Sequence, residues 1–209
     1  MTITAPGATV NDVSSTPARE RPGRPRSSSR AEIERIALDL FGAHGFEETT
    51  VDDIAEAAGI SRRTFFRYFP SKNDVVWGDF DALLAELAQQ LDAPSADQQT
   101  WATVRDAVID FNSLPPEAVD AHRQRMALIL YVPALQAHST LRYASWRAVV
   151  ERYAEHRPHE PDAGASARLV GHLALAAAVS AYEQWLAQPD ADLAALLGHA
   201  FDAVDLRLP

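Results

Sequence analysis

Residues 50–72 read TVDDIAEAAGISRRTFFRYFPSK. Thr50 stands just before an apolar-periodic run. Its side-chain oxygen suits a helix N-cap, and Asp52 and Asp53 suit the first turn, where the helix dipole favours negative charge. Gly59 ends that helix after barely two turns, because glycine accepts the left-handed conformation of a helix end. Ser61 is the next cap, opening a second short helix that runs to about Phe69, where Pro70 interrupts it. Ser71 caps again, with Asp74 three residues on, as in a capping box. Two short helices joined by Gly-Ile-Ser meet the requirements of a helix-turn-helix. Ala55 is the small residue where the helices touch, Gly59 the turn glycine, and Ile54, Ala58, Ile60, Phe65 and Tyr68 the apolar packing residues.

The second helix mixes rings with guanidinium groups, and projection at about 100° per residue sorts them. With Arg62 at zero, Phe65, Tyr68 and Phe69 fall in an arc from about 240° to 340°. Arg62, Arg63, Phe66 and Arg67 fall from about 0° to 140°, and Thr64 lies on the boundary. One face packs inward and the other presents three arginines and a ring. That outer face suits a DNA major groove. Arginine bonds guanine bidentately there, and a ring or a threonine methyl meets the thymine methyl. Thr50 and Lys72, each at a helix N-terminus, are positioned to hold phosphate oxygens. Thr50 is equally accounted for as a purely structural cap.

The chain around this motif is acidic, with a formal net charge of −10 over 209 residues. The charge is uneven. Residues 1–72 carry ten Arg/Lys and ten Asp/Glu, so the excess acid lies in the remainder. Two basic spots emerge, at residues 19–30 and 60–72. The first belongs to a segment, residues 1–29, that is rich in Pro, Ser, Thr and Gly and has too few large apolar side chains to form a core. A disordered basic arm is expected. Within it, RPGRPR (residues 21–26) resembles the AT-hook, in which arginines, here Arg24 and Arg26, follow an AT-rich minor groove. An ordinary solvated basic tail is the alternative.

The rest of the chain reads as helix throughout. Order begins near Ser29, and Ile33, Ile36, Ala37, Leu40 and Phe41 recur at helical spacing up to Gly45. After Ser71 a helix carries Trp77, Phe80, Leu84, Leu87 and Leu91 on one stripe. DAPSADQ, SLPPE, YVP, HRPHEPDAGAS and QPDAD then separate further helical runs, with no alternating strand pattern. The expectation is an all-α protein of about nine helices. Residues 1–29 form the arm, 30–75 a helix-turn-helix domain, and 76–209 a larger helical domain.

Residues 30–81 resemble the TetR family of bacterial one-component regulators. Thr50, Ile54-Ala55, Ala58-Gly59, Phe66-Arg67-Tyr68-Phe69 and Ser71-Lys72 carry the resemblance. Arg63 stands where family members often have glycine, and Phe66 where many have tyrosine. RRTFFRYFPSKNDVVWGDFD (residues 62–81) is similar to a narrower group, the regulators found with mycofactocin biosynthesis genes in actinobacteria. The resemblance implies a cytoplasmic homodimer on a palindromic double-stranded DNA operator, acting as a repressor that an effector releases. It also implies that the last two helices pair with their mates. Ala174, Ala178, Leu193, Leu197, Phe201 and Val204 suit close helix contact, with a monomer core as the alternative. A small apolar effector, an acyl-CoA among the candidates, implies a cavity. Trp101, Phe111, Met126, Leu130, Tyr131, Trp146 and Trp185 are its candidate lining, or ordinary core. Arg123, Arg125, Arg142 and Arg147 could meet an anionic group of the ligand, or lie on solvated helix faces.

Other chemistries find little footing. There is no cysteine, so disulfides and thiol chemistry are excluded, in keeping with a reducing compartment. The first twenty residues hold no signal-like apolar run, and the most apolar stretch, from Leu169, contains His172, Glu183 and Gln184, which argues against a membrane span. His156 and His159 beside Glu160 have the spacing of metal ligands, but Pro158 interrupts any helix that would align them, so a linker is expected there and no metal site. No nucleophile, metal or phosphate-loop motif points to an enzyme, and no cofactor is expected. A helical protein-interaction scaffold is the competing reading. It explains the C-terminal helices but not residues 50–72.

Overall fold

The computed structural model describes residues 29–92, 99–157 and 163–204. They form helices α1 (Arg30–His44), α2 (Val51–Ala57), α3 (Arg62–Tyr68), α4 (Lys72–Trp77), α5 (Phe80–Asp92) and α6 (Thr100–Phe111). A 3-10 turn at Pro116–Ala118 leads to α7 (Val119–Tyr131), α8 (Pro133–Glu155), α9 (Ala163–Ala187) and α10 (Leu193–Ala203). There is no strand among the described residues. The sequence implies nine helices. The tenth arises because its fourth is cut in two at Gly78, which has φ 57° and ψ −139°. Trp77, Phe80, Leu84, Leu87 and Leu91 keep helical spacing across the cut, so periodicity alone does not reveal it. The expected arm, with Arg24 and Arg26, lies outside the described residues.

The caps expected at Thr50, Ser61 and Ser71 form, and Ser29, where order was expected to begin, caps α1 as well. The Ser29, Thr50, Ser61 and Ser71 side chains accept from the backbone N–H three residues on. At the end of α2, Gly59 N–H bonds the Glu56 carbonyl at 3.0 Å and Ile60 N–H the Ala55 carbonyl at 2.9 Å. Gly59 has φ 64°. These are the paired bonds of a Schellman motif, and they set the chain direction into α3.

The head, α1–α4, packs around Phe41, Ile54, Phe65 and Phe69, all buried. Each such side chain contributes roughly 1.5–3 kcal/mol through burial. In the body, α9 packs along α8 and α10. It is alanine-rich, and small residues permit this approach: a Cβ on Gly171 would come within 2.6 Å of Glu151 of α8. This close packing corrects one expectation. Ala174, Ala178, Leu193, Leu197 and Phe201 are buried within the single chain, and Val204 is half-buried. The first five are intrachain core and are not available to a second copy. The polar residues of α9, Arg168, His172, Ser180 and Glu183, lie on its exposed side, away from this core.

Head and body are joined by polar ties as well as apolar contact. Arg125 of α7 donates to the Val76 carbonyl (3.1 Å) and to Glu34 of α1. Gln124 donates to the Leu38 carbonyl at 2.6 Å, where Gly42 leaves room for its amide. Arg142 of α8 donates to Asp74 at 2.8 Å, and Arg30 to the Gly78 carbonyl at 2.9 Å. A Cβ on Gly78 would lie 2.9 Å from Glu34 Oε1 and 3.0 Å from Arg125 Nη1. Gly78→Ala therefore meets both backbone strain and the Glu34–Arg125 pair. It should lower unfolding stability by about 1–3 kcal/mol, read from the urea midpoint at unchanged slope.

Candidate functional site

Helix α3 presents the face that projection assigns to it. Phe65 and Phe69 are fully buried and Tyr68 is half-buried, while Arg62, Arg63, Phe66 and Arg67 are exposed. Phe66 is 43% exposed. Its ring meets Phe65 edge-on and lies under the Arg62 guanidinium at 5.4 Å, and the rest of it is open between the arginines. Thr64 sits at the boundary, its hydroxyl 2.9 Å from that of Ser61. Arg62 pairs with Asp52 at 2.7 Å, an exposed pair of little stabilising value. Arg67 leans over the Tyr68 ring at 5.1 Å. Arg63 has no hydrogen bond or ion pair among the described residues, so its guanidinium fork is open.

The two supporting residues are held differently from expectation. Lys72 Nζ donates to the carbonyls of Phe46 (2.7 Å), Thr49 (3.0 Å) and Glu47 (3.4 Å), and lies over the Phe46 ring at 4.3 Å. An ammonium has three donors, and here they serve the connection between α1 and α2. Lys72 is thus a clamp on that connection rather than a free phosphate ligand. Thr49, which the sequence reading passed over, is buried beside it and donates to the Gly45 carbonyl at 2.8 Å. Thr50 is exposed, but its hydroxyl and backbone N–H both bond Asp53, at 2.7 and 2.8 Å, closing a capping box. These bonds to Thr50 hold the Asp53 carboxyl below the usual carboxylate range.

A largely apolar, half-open cavity of about 590 Å³ lies in the body where it meets the head. Of the seven residues expected there, Phe111, Met126 and Trp146 line it. The other four do not. Trp101 stacks on Phe201 and donates to its carbonyl at 3.1 Å. Trp185 is buried under Arg123, 4.0 Å from its ring, Leu130 is half-buried in the surrounding core, and Tyr131 is largely exposed. Ala178, expected at an interface, lines the cavity instead. So do Glu34, Val76, Trp77 and Gly78, which places the cavity wall against the head.

The four arginines considered for an anionic group are engaged by the protein itself. Arg123 donates to the carbonyls of Trp185 and, at 3.1 Å, Pro189. Arg125 holds Glu34 and Val76, Arg142 holds Asp74, and Arg147 lies 3.8 Å from Glu151. Burial alone would raise the Asp74 carboxyl. The Ser71 hydroxyl and the Arg142 guanidinium outweigh it and leave Asp74 below the usual range.

One polar chain crosses the cavity wall. Tyr182 Oη donates to Asn112 Oδ1 at 2.5 Å and lies 2.7 Å from His122 Nε2. Burial, with Arg125 nearby, pushes the His122 imidazole down to about 4, so it is neutral at pH 7. Burial likewise pushes the Tyr182 phenol up. Among the described residues no group of His, Asp and Glu is arranged to hold a metal ion, and no helix is long and apolar enough to cross a membrane. His159 and Glu160 lie outside the described residues.

Comparison with known proteins agrees with this arrangement. Residues 35–76 match the family described as bacterial regulatory proteins, tetR family, and residues 98–209 match the MftR C-terminal domain. The chain is 42% identical over 192 residues to MftR of Mycobacterium tuberculosis, a protein named for transcriptional regulation of mycofactocin biosynthesis. That alignment covers 92% of this chain and 97% of the relative. Among solved structures, FadR of Bacillus halodurans, a fatty acid degradation regulator, superposes with a TM-score of 0.61 at 15% identity, covering 88% of this chain and 99% of that one. Thermus thermophilus FadR, solved in complex with lauroyl-CoA, gives 0.53 at 24% identity, covering 83% and 92%. At these identities the two structures bear on the fold.

Two measurements check the site's construction. Lys72→Met should lower the melting temperature, because the three carbonyls lose their donor. A loss of DNA affinity with the melt unchanged would instead mark Lys72 as a phosphate contact. His122 binds its proton more weakly folded than unfolded, so stability is full above about pH 6.5 and falls as pH drops toward 4. The loss is on the order of 2–4 kcal/mol, and His122→Asn should flatten that part of the stability–pH curve. Asp53 and Asp74 act only below the window, since their contribution is lost on protonation in stronger acid.

Proposed function

The chain belongs to the TetR family of bacterial regulatory proteins, and from that premise we propose that it is a cytoplasmic homodimeric repressor released by an apolar effector. Its function is transcriptional regulation through DNA binding. The observation that carries the detailed reading is the division of α3, with Phe65 and Phe69 buried while Arg63, Phe66 and Arg67 face outward. Arg63 and Arg67 read guanine edges, Phe66 meets a thymine methyl, and Arg62 exchanges Asp52 for a phosphate. Thr50 adds its exposed helix N-terminus to the phosphate contacts, and Arg24 and Arg26 of the arm follow the minor groove.

A palindromic operator needs two copies of α3 about one DNA turn apart, roughly 34–36 Å. The dimer face that fits is the outer side of α9 and α10. Leu169 and Ala176 are exposed there, with Leu173, Leu196 and Ala200 half-buried. This stripe replaces the buried residues expected from the sequence. It is of the kind that pairs as a four-helix bundle.

The effector enters the cavity beside Trp77 and Gly78. It acts by favouring an arrangement of head against body in which the two α3 helices are wrongly spaced for DNA. The ties through Arg125, Gln124 and Arg142 are the contacts that such a shift remakes. The lauroyl-CoA of the Thermus protein is one ligand of fitting apolar character, and the MftR relationship points to mycofactocin-related genes as targets. The protein carries out no catalysis in this reading.

The test is direct. Arg63→Ala and Arg67→Ala should each weaken binding to the protected operator by about 1–3 kcal/mol, leaving the melt and the dimer mass unchanged. If both variants footprint like the parent, α3 does not read the operator.

A further inference from the structure

Among the polar groups that line the cavity, the hydrogen-bonding character of His122 can be deduced. Asn112 Nδ2 donates to the Val108 carbonyl at 2.7 Å, and a carbonyl can only accept, so the amide orientation is fixed with Oδ1 toward Tyr182. Oδ1 can only accept, so the single phenolic proton of Tyr182 is used there. The bond between Tyr182 and His122 must then run from His122 Nε2–H to the phenolic oxygen. The imidazole, being neutral, carries its one proton on Nε2, which leaves Nδ1 as a bare lone pair. His122 Nδ1 makes no hydrogen bond among the described residues, and it is not among the unpaired polar atoms that protein seals completely. Trp77 Nε1 and the Tyr143 hydroxyl are also without hydrogen bonds, but both are fully covered.

The charges around the cavity narrow the class further. Its ionisable lining comprises Glu34, Asp79, Glu86, His122, Arg125 and Tyr182. Arg125 is committed to Glu34 and the Val76 carbonyl. A carboxylate or phosphate inside would face carboxylates with no unengaged cation to receive it. A cation near His122 would face Arg125, which is close enough to disfavour the protonated imidazole.

We propose that the effector is an apolar chain bearing an uncharged hydrogen-bond donor, a hydroxyl or an amide N–H, which donates to His122 Nδ1. The inference rests on the cavity being the effector site. Two sources supply this chemistry: a free alcohol, and the amide of an acyl-pantetheine arm.

The experiment is calorimetric titration of the full chain with 1-decanol, S-decanoyl-pantetheine, decanoate and 1-methoxydecane. The last keeps an ether oxygen but has no donor. At least one of the two donor ligands should bind about tenfold more tightly than the ether, from one net hydrogen bond, and which one does so identifies the source. His122→Gln replaces the Nε2 donor without Nδ1 and should reduce that ratio to about one. His122→Asn places an acceptor where Nδ1 was and should restore the preference, with melts confirming that both variants fold. Equal binding of the ether and the donors, tighter binding of decanoate, or a preference that survives His122→Gln would each overturn the assignment. Binding of none of the four would remove the effector cavity with it. A His122-dependent donor that binds yet leaves operator affinity unchanged would keep the ligand class and overturn only the regulatory reading.

Discussion

The guanidinium of Arg125 is the contact on which the working parts depend. It projects from α7, in the body, and holds two elements of the head at once: Glu34 on α1 and the last turn of α4 through the Val76 carbonyl. A planar fork can hold two partners at a fixed angle, which a single ammonium cannot. The pair is mostly buried, so its partners must stay matched, since either charge alone would be costly there. Arg125 also lines the cavity and bears on the His122 imidazole. The same side chain therefore sets the angle of the head, closes the cavity wall and helps fix the protonation of its acceptor.

Gly78 gives this joint its shape. A continuous helix through residues 72–92 would carry the head rigidly on α5. The break leaves α4 a separate six-residue helix with capping groups at both ends. Asp74, near its start, is tied to Arg142 of α8, and its last turn is tied to Arg125. The cavity wall at Gly78 thus adjoins the contacts that tie the body to α4. On the proposed reading the coupling runs through neighbouring contacts and needs no long relay through the protein.

The head was largely legible in the sequence, because its rules are local. Caps at Ser29, Thr50, Ser61 and Ser71, and the glycine at 59, act within three to five residues. The two faces of α3 followed from helical geometry and the contrast between rings and guanidinium groups. What escaped depends on tertiary placement. Lys72 looked like a phosphate ligand, yet its long side chain turns back to carbonyls some 23 to 26 residues earlier. Ala174 and Ala178 looked like interface, yet they lie on the side of α9 that its own neighbours cover, away from the exposed Arg168, His172 and Glu183. The His122–Tyr182–Asn112 chain joins α7, α9 and the end of α6, and no spacing in the sequence announces it.

The split personality of α3 has an evolutionary consequence. Phe65 and Phe69 bind the helix to the head, and the residues between them contribute little to that anchorage. Exposed positions away from structural features tolerate replacement within about 0.5 kcal/mol. Positions 63, 66 and 67 can therefore drift without unfolding the protein, and on the proposed reading each change alters which DNA is recognised. A duplicated copy could acquire a new set of target genes through a few substitutions while keeping its sensing body intact. The division that lets this helix read DNA also makes it the cheapest part of the molecule to rewrite.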